Sequence, residues 1–281
     1  MSHVAYVNGA YLPLRHASVS IEDRGFQFAD AAYEVWGVRK GRTLDDDGHF
    51  ARLRRTLDEL RIDWPMSDTA LGLILRETMR RNRVRDGYLY LQISRGAAAR
   101  DHVFPPPSTR PTIVVTAKAL NLKILEARAA SGIAVVTTPD IRWARCDLKT
   151  VGLLPNVLAR QAARERGAFE AWMVDKDGSV TEGTASNAWI VDEQGRLRTR
   201  ALSNAILHGV TRASLIRLAE ERQMPILEDA FTVEEAKRAR EAFMSSATNG
   251  AMPVISIDGA PIGDGKPGPL ALGLRAAYFG A

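Results

Sequence analysis

Short runs of β-branched and aromatic residues, separated by tight turns, fill much of the second half of the chain and restrict the folds open to it. Residues 171–199 carry such runs around the turn signals Asp177-Gly178 and Gly195. Helical patterns follow over residues 211–222 and 270–278. Short strands interspersed with helices in this way indicate an α+β fold for this half.

The first half gives an equally mixed pattern, which begins with a hairpin. Asn8-Gly9 separates two short runs, and this dipeptide is the strongest short signal for a β-hairpin. Apolar residues at helical spacing predict helices over residues 45–60 and 67–82. Strands are predicted over residues 88–94 and 112–117, and alternation in the first of them places its tyrosines on one face and its leucines on the other. The first half is therefore also α+β.

A domain boundary is predicted near residues 120–125. No Gly/Ser-rich linker occurs there, so we expect the two halves to be packed together. We predict an N-terminal α+β domain over residues 1–119, an interdomain linker over 120–125 and a C-terminal domain over 126–281.

The charge of the chain raises the question of an anionic partner. The chain has 281 residues, 46% of them hydrophobic, which is ample for a buried core, and its net charge is +5. A basic protein can bind nucleic acid. Here, however, the basic residues are scattered among acidic ones, as is typical of solvated helix faces. We therefore expect no nucleic-acid partner, and a basic anion-binding protein remains the alternative from another class.

The number of cysteines, the spacing of histidines and the length of apolar runs bear on the cellular compartment and on a metal site. Cys146 is the only cysteine, so no intramolecular disulfide can form, which fits a reducing environment. No apolar run approaches the roughly 20 residues that span a bilayer, and the N-terminus lacks a signal pattern. The five histidines are widely spaced and match no metal motif. We expect a cytoplasmic protein with no membrane partner and no metal site.

Lys149 stands out among the few lysines. It lies in the mostly apolar run DLKTVGLL at residues 147–154, whereas the others lie in polar or turn contexts. Burial lowers the pKa of an amine, and a neutral amine is the nucleophile that condenses with an aldehyde. The alternative is a lysine that extends from an apolar segment to solvent. On these residues alone, the second interpretation is favoured.

Three further segments could bind parts of a phosphorylated ring. The run HGVTR at residues 208–212 leads into a helix and offers backbone N–H groups to an anion. The run SSATNG at residues 245–250 can form a similar nest. Glu182, at the end of a strand, could hold a protonated pyridine nitrogen. Each segment alone is more often an ordinary cap, turn or strand end. Their joint occurrence with Lys149 in one chain favours a site for a phosphorylated ring.

Longer segments of the chain match one family as a set. They are EDRGFQFAD at residues 22–30, YEV at 33–35, HFARL at 49–53, RG at 95–96, RDH at 100–102, IRWARCDLK at 141–149, TEGTASN at 181–187, GVTR at 209–212 and SAT at 246–248. In this order they resemble the fold-type IV enzymes that use pyridoxal 5′-phosphate (PLP), and within them the D-amino-acid aminotransferases (D-alanine transaminases). The resemblance covers essentially the whole chain.

The resemblance implies an architecture and an activity. The fold would have a smaller N-terminal α/β domain and a C-terminal pseudo-barrel domain that binds PLP. The activity would be transfer of an amino group between a D-amino acid, such as D-alanine, and 2-oxoglutarate or pyruvate. The enzyme would be a homodimer whose active site is shared between subunits.

The resemblance also implies roles for individual residues. Lys149 would be the catalytic Schiff-base lysine, and Glu182 would pair with the pyridine nitrogen. Leu207 would pack on one face of the ring. The phosphate would be bound by Arg52, Val210, Thr211, Ser246 and Ala247. The substrate would be bound by Tyr33 and, from the neighbouring subunit, by Arg100 and His102.

Arg100 and His102 favour the D-amino-acid subfamily. Residues two apart in an extended segment point the same way, so these two cations could share one carboxylate. The alternative is a mobile, solvated loop. Other enzymes of the same fold also remain alternatives: an L-branched-chain aminotransferase, an R-selective amine transaminase and an aminodeoxychorismate lyase.

Overall fold

The computed structural model describes residues 3–280, which form two compact units. The first unit contains the chain up to residue 121 together with Leu148–Gly152, and the second contains Leu122–Asp147 and the chain from residue 153 onward. The sequence pattern does not predict that a five-residue segment around Lys149 belongs to the first unit.

The first unit is built on a six-stranded antiparallel sheet in the order β2-β1-β6-β5-β3-β4. Its strands are β1 (Val4–Val7), β2 (Ala10–Pro13), β3 (Ala31–Arg39), β4 (Arg42–Thr43), β5 (Gly87–Ser94) and β6 (Thr112–Ala119). Its helices are α1 (Arg24–Phe28), α2 (Asp46–Leu60) and α3 (Asp68–Arg81), with a 3-10 turn at Leu14–His16.

Local sequence signals explain most of these elements. Asn8 and Gly9 both have positive φ, as the predicted hairpin turn requires. Ser67 caps α3, since its hydroxyl accepts a hydrogen bond from the N–H of Ala70. Asp45 occupies the cap position of α2 but makes no side-chain cap bond. In β5, Leu89, Leu91 and Ile93 are buried against α2 and α3, and the polar face is partly exposed, as the alternation predicts.

The second unit contains a nine-stranded sheet and five helices. Its strands are β7 (Ile133–Pro139), β8 (Glu170–Val174), β9 (Val180–Gly183), β10 (Asn187–Val191), β11 (Leu197–Thr199), β12 (Ile226–Glu228), β13 (Glu241–Ser246), β14 (Gly250–Ile257) and β15 (Ala260–Pro261). Its helices are α4 (Leu122–Ser131), α5 (Leu154–Glu165), α6 (Val210–Glu221), α7 (Val233–Arg238) and α8 (Pro269–Phe279).

The connectivity of this sheet requires it to curl. The strand order is β12-β11-β10-β13-β14-β7-β8-β9, with β15 paired to β14, so β9 and β10 stand five places apart. In a flat sheet, that separation would be about 24 Å. The link from Gly183 to Asn187 can span at most about 15 Å. The sheet therefore closes toward a pseudo-barrel, which confirms the predicted architecture, and Trp172, Phe231 and Met252 lie in its core.

Two features bear on the sequence predictions. The predicted linker over residues 120–125 overlaps the first turn of α4, which begins at Leu122. The placement of the domain boundaries itself stays a prediction. Within residues 3–280, none of the helices combines the length and hydropathy that a bilayer crossing needs.

Candidate active site

The backbone of Lys149 is fixed against the start of β3. Thr150 forms an antiparallel bridge with Ala32, and the carbonyl of Lys149 accepts a hydrogen bond from the N–H of Tyr33 at 3.0 Å. The N–H of Val151 donates to the carbonyl of Ala31 at 3.2 Å. The main chain around the lysine is therefore held independently of the lysine side chain.

The side chain of Lys149 lies against Tyr33, one of the predicted substrate residues. Its Nζ is 4.0 Å from the centre of the Tyr33 ring. Lys149 is only partly buried, and Leu154, at the end of its apolar run, is 68% exposed, so the side chain is not enclosed by apolar neighbours. The structure thus brings together an accessible amine and an aromatic face.

A second tyrosine supports Tyr33. The ring of Tyr90 lies 5.7 Å from that of Tyr33, and its hydroxyl donates to Oε1 of Gln92 at 2.8 Å. Burial, with a smaller contribution from Tyr33, raises the pKa of Tyr90 to about 12. Tyr90 is therefore neutral at physiological pH and acts as a hydrogen-bond donor.

Arg52, the predicted phosphate ligand, projects from α2 and pairs with Glu34 of β3. Its Nε and Nη2 donate to the two carboxylate oxygens at 2.7 and 2.9 Å, and Nδ1 of His49 lies 2.8 Å from Oε2. Glu34 is fully buried. Burial alone would raise the pKa of Glu34, but the charge and hydrogen bonds of Arg52 and His49 lower it to about 2. This fork-to-fork pair fixes the plane of the guanidinium.

Glu34→Gln is expected to destabilise the protein by about 3 kcal/mol at pH 7, because it removes the buried carboxylate that pairs with both Arg52 and His49. The folded-state pKa of Glu34 lies below its ordinary value of 4.5, so the stabilisation is present above pH 4.5 and lost as the pH falls toward 2. Urea unfolding between pH 7 and pH 3 measures this, and the variant should lose less stability than wild type over that range.

Glu77→Gln is the matched control. Glu77 also pairs with two arginines, Arg80 and Arg81, but on the surface. Surface pairs contribute little to stability. Equal losses for the two variants would contradict a special role for the buried pair.

Arg100 and His102 both contact Phe28, at the end of α1. The Arg100 guanidinium lies 5.0 Å from the centre of the Phe28 ring, and the His102 ring lies 5.4 Å from it. Both side chains are exposed. The structure therefore brings these two residues to one aromatic ring, and their binding of a shared carboxylate stays a prediction.

In the second unit, Glu182 is held at the end of β9 by three groups. Its carboxylate accepts from the N–H of Leu207 at 3.1 Å and from Nδ2 of Asn187 at 3.0 Å, and it pairs with Nη1 of Arg142. Glu182 is 4% exposed. Its orientation is thus set before any ligand binds.

Arg142 has no role that the sequence predicts, and no spacing rule identifies it. Its Nε and Nη2 donate to Asp140 at 2.9 and 2.7 Å, and Nη2 also donates to the carbonyl of Ala205 at 3.1 Å. Burial would lower the pKa of Arg142, but the hydrogen bond to Asp140 and the charges of Glu182 and Asp140 raise it above its ordinary value. Arg142 therefore places a permanent positive charge against Glu182.

Asn187 gathers the predicted phosphate segments around Glu182. Its Nδ2 also donates to the carbonyl of Leu207 at 3.0 Å, and its backbone pairs with Ser245 in the β10–β13 ladder. A Cβ on Gly209 would lie 2.0 Å from Oδ1 of Asn187, so only glycine fits there. Leu207, Gly209 and Ser245, from the two predicted phosphate segments and the residue before them, therefore all lie next to this asparagine.

The start of α6 provides donors for an anion. The helix begins at Val210. Its cap residue, Gly209, has no side chain that could accept a hydrogen bond from the first N–H groups of the helix. The hydroxyl of Thr211 is 3.3 Å from that of Tyr278, and the hydroxyl of Ser246 accepts from Asn249 at 2.9 Å. Backbone N–H groups and the positive end of the helix favour a phosphate at such a position.

The chain belongs to the amino-transferase class IV family, whose model matches residues 31–257. It is therefore an aminotransferase. The chain is 40% identical to a D-alanine aminotransferase from Bacillus licheniformis over 270 residues, covering 96% of this chain and 94% of the relative. It is 36% identical to a D-alanine aminotransferase from Staphylococcus haemolyticus over 273 residues, covering 97% and 95%.

Solved structures with the same fold include branched-chain aminotransferases. A T.th. branched-chain amino acid aminotransferase with pyridoxamine 5′-phosphate superposes with a TM-score of 0.89 at 27% identity, covering 99% of this chain and 93% of that one. The Escherichia coli branched-chain amino acid aminotransferase gives a TM-score of 0.89 at 24% identity, covering 100% and 94%, and shows the fold alone. These likenesses confirm the predicted fold-type IV architecture.

Proposed function

We propose that this aminotransferase uses PLP to transfer an amino group between a D-amino acid, such as D-alanine, and a 2-oxo acid, 2-oxoglutarate or pyruvate. The observation that carries the proposal is the identity of 36–40%, over nearly the whole chain, to D-alanine aminotransferases. The 2-oxo acid would accept the amino group in the second half of the reaction. Contacts in both units support the proposal.

Taken one by one, the groups in each unit fit the chemistry of the parts of PLP. An accessible amine at Lys149, a carboxylate fixed by three donors at Glu182 and a helix start at Val210 correspond to the aldehyde, pyridine nitrogen and phosphate of the cofactor. Bound PLP supplies an electron sink for the charge that develops at the α-carbon of the amino acid. The relative with pyridoxamine 5′-phosphate supports this choice of cofactor.

Each residue then has a defined task. Lys149 would anchor the cofactor through its amine and would move the proton from the α-carbon of the substrate. Glu182, whose carboxylate is held by Arg142, would pair with the pyridine nitrogen. Leu207 would pack on one face of the ring. The phosphate would be bound by Arg52, Val210, Thr211, Ser246 and Ala247.

The substrate carboxylate is assigned to Tyr33, Arg100 and His102. A guanidinium with a second donor beside it suits a carboxylate. We propose that Arg100 and His102 serve the active site of a second subunit, so that the enzyme works as a homodimer. Exposed apolar side chains in each unit support such an interface, including Ile21 at 79% and Leu154 at 68% exposure.

An L-branched-chain aminotransferase is the second candidate, because solved structures of the same fold are branched-chain enzymes at 27% identity. The D-amino-acid activity is better supported, since the identity to D-alanine aminotransferases is higher and equally complete. The two functions predict opposite stereochemical preferences.

The visible absorption spectrum of the purified holoenzyme distinguishes them. We expect the band of the lysine-bound cofactor to disappear on addition of D-alanine and to persist with L-alanine or L-leucine. Loss of the band with L-leucine only would replace the proposal by the branched-chain activity. A band that ignores all three amino acids would point to the lyase or the amine transaminase of this fold, and no band after adding PLP would remove the cofactor assignment.

A further inference from the structure

The side chain of Arg24 binds the main chain of the loop that carries Arg100 and His102. Nη1 of Arg24 donates to the carbonyl of Asp101 at 2.6 Å and to that of Val103 at 3.3 Å. These two residues flank His102, and Asp101 also follows Arg100 directly. Arg24 is 4% exposed. A buried guanidinium therefore fixes the backbone on each side of His102.

A buried ion pair anchors Arg24 itself. Nε of Arg24 donates to Oδ2 of Asp30 at 2.8 Å, and Arg95 donates to both oxygens of the same carboxylate at 2.7 and 2.9 Å. Arg95 continues to the carbonyls of Leu60 and Arg61 at the end of α2. The loop is thus tied through Arg24 and Asp30 to the helix that carries Arg52.

Phe28 contacts the side chains of Arg24, Arg100 and His102. Its ring lies 4.8 Å from the guanidinium of Arg24, in addition to its contacts with Arg100 and His102. Within residues 3–280, neither Arg100 nor His102 has a hydrogen bond or ion pair of its own. The two side chains are therefore oriented by an aromatic surface, while their polar groups stay available to a ligand.

We infer that Arg24 and Phe28 are positioning residues for the substrate carboxylate, because they hold Arg100 and His102 in the arrangement that grips it. The inference rests on the proposed function, in which those two side chains bind that carboxylate. The positioning residues touch neither substrate nor cofactor and act only through the pair. Their effect is confined to the binding of substrates that carry an α-carboxylate.

The test compares Arg24→Gln, Arg100→Ala and the double variant in the holoenzyme. Arg24→Gln leaves Asp30 paired with Arg95, so the buried carboxylate keeps a partner. We expect Arg24→Gln to raise KM for D-alanine by about tenfold, since weakening one hydrogen bond to a charged group changes binding on this scale. The kcat at saturating D-alanine should stay within about twofold of wild type. Arg54→Gln, at an exposed ion pair of the same unit, should change neither constant.

The double variant separates positioning from a general structural role. If Arg24 acts only through Arg100 and His102, Arg24→Gln should add little to the effect of Arg100→Ala. Fully additive effects, or a fall in kcat without a change in KM, would overturn the inference. A wild-type KM in Arg24→Gln together with a raised KM in Arg100→Ala would overturn the positioning inference but leave the proposed function in place. A wild-type KM in Arg100→Ala would reject the carboxylate assignment of the proposed function, and the positioning role with it.

Phe28→Leu keeps the test decisive if Arg24→Gln does not fold. It removes the aromatic surface against Arg100 and His102 and leaves the buried ion pairs in place. The same rise in KM and the same lack of additivity with Arg100→Ala are expected. An unchanged KM in a folded Phe28→Leu enzyme would remove the ring from the arrangement and overturn the inference as stated.

Discussion

Lys149→Ala is expected to abolish transamination between D-alanine and 2-oxoglutarate, lowering turnover by at least about 10⁴-fold, the upper range for loss of an acid–base group. The same amine would bond to the cofactor and move the α-proton, so no other side chain compensates for its loss. The fold should survive, because alanine keeps the backbone hydrogen bonds of this residue with Tyr33 and Thr56 and loses only the side-chain contact with the Tyr33 ring. A coupled assay of pyruvate formation measures the effect.

Two controls make the result specific. Lys176→Ala, at an exposed lysine, should retain wild-type turnover. Co-expression of Lys149→Ala with Arg100→Ala chains should restore activity at low D-alanine, because a mixed dimer would contain one site with both Lys149 and Arg100. Wild-type turnover of Lys149→Ala would eliminate this lysine as the catalytic amine, and failure of the mixed dimer would place Arg100 in its own subunit's site.

Elements set by local patterns can be predicted from the sequence. The hairpin at Asn8-Gly9 needs only residues that accept positive φ, and α2 and α3 follow from apolar residues at helical spacing. The sequence pattern starts α6 at Thr211, one residue after its observed start at Val210, where Gly209 is the cap residue. In each case the determining contacts lie within a few residues of one another.

The parts that cannot be predicted depend on pairing between distant residues. The sequence pattern does not reveal β3, because this strand is buried at most positions and includes Glu34, so its pattern does not alternate. The burial of a charged Glu34 within this strand is explained by its ion pair with Arg52, on the helix that follows. Arg142 acquires its role from Glu182, forty residues away in sequence, and no local spacing encodes that contact. The resemblance to a family supplies candidate residues, while the structure supplies the groups that hold them.

Glu182→Gln is expected to lower kcat for D-alanine by about 10²-fold, as the loss of a fixed charge at a reacting centre does. The amide keeps the size of the side chain and can still accept from the N–H of Leu207, but it has no negative charge to hold a protonated pyridine nitrogen. It also leaves Arg142, whose side chain is 6% exposed, with Asp140 as its remaining carboxylate partner. A fall in melting temperature should therefore accompany the fall in rate.

Glu182→Asp separates the electrostatic effect from the structural one. Aspartate restores the charge on a shorter side chain, so it should recover part of kcat even if the melting temperature stays low. Glu193→Gln, at a side chain that is 62% exposed, controls for the loss of a carboxylate elsewhere in the same unit. If Glu182→Gln and Glu182→Asp lost activity in proportion to stability alone, the carboxylate would serve the fold. Because Leu207, Asn187 and Arg142 already fix this carboxylate, we expect its charge to determine the rate.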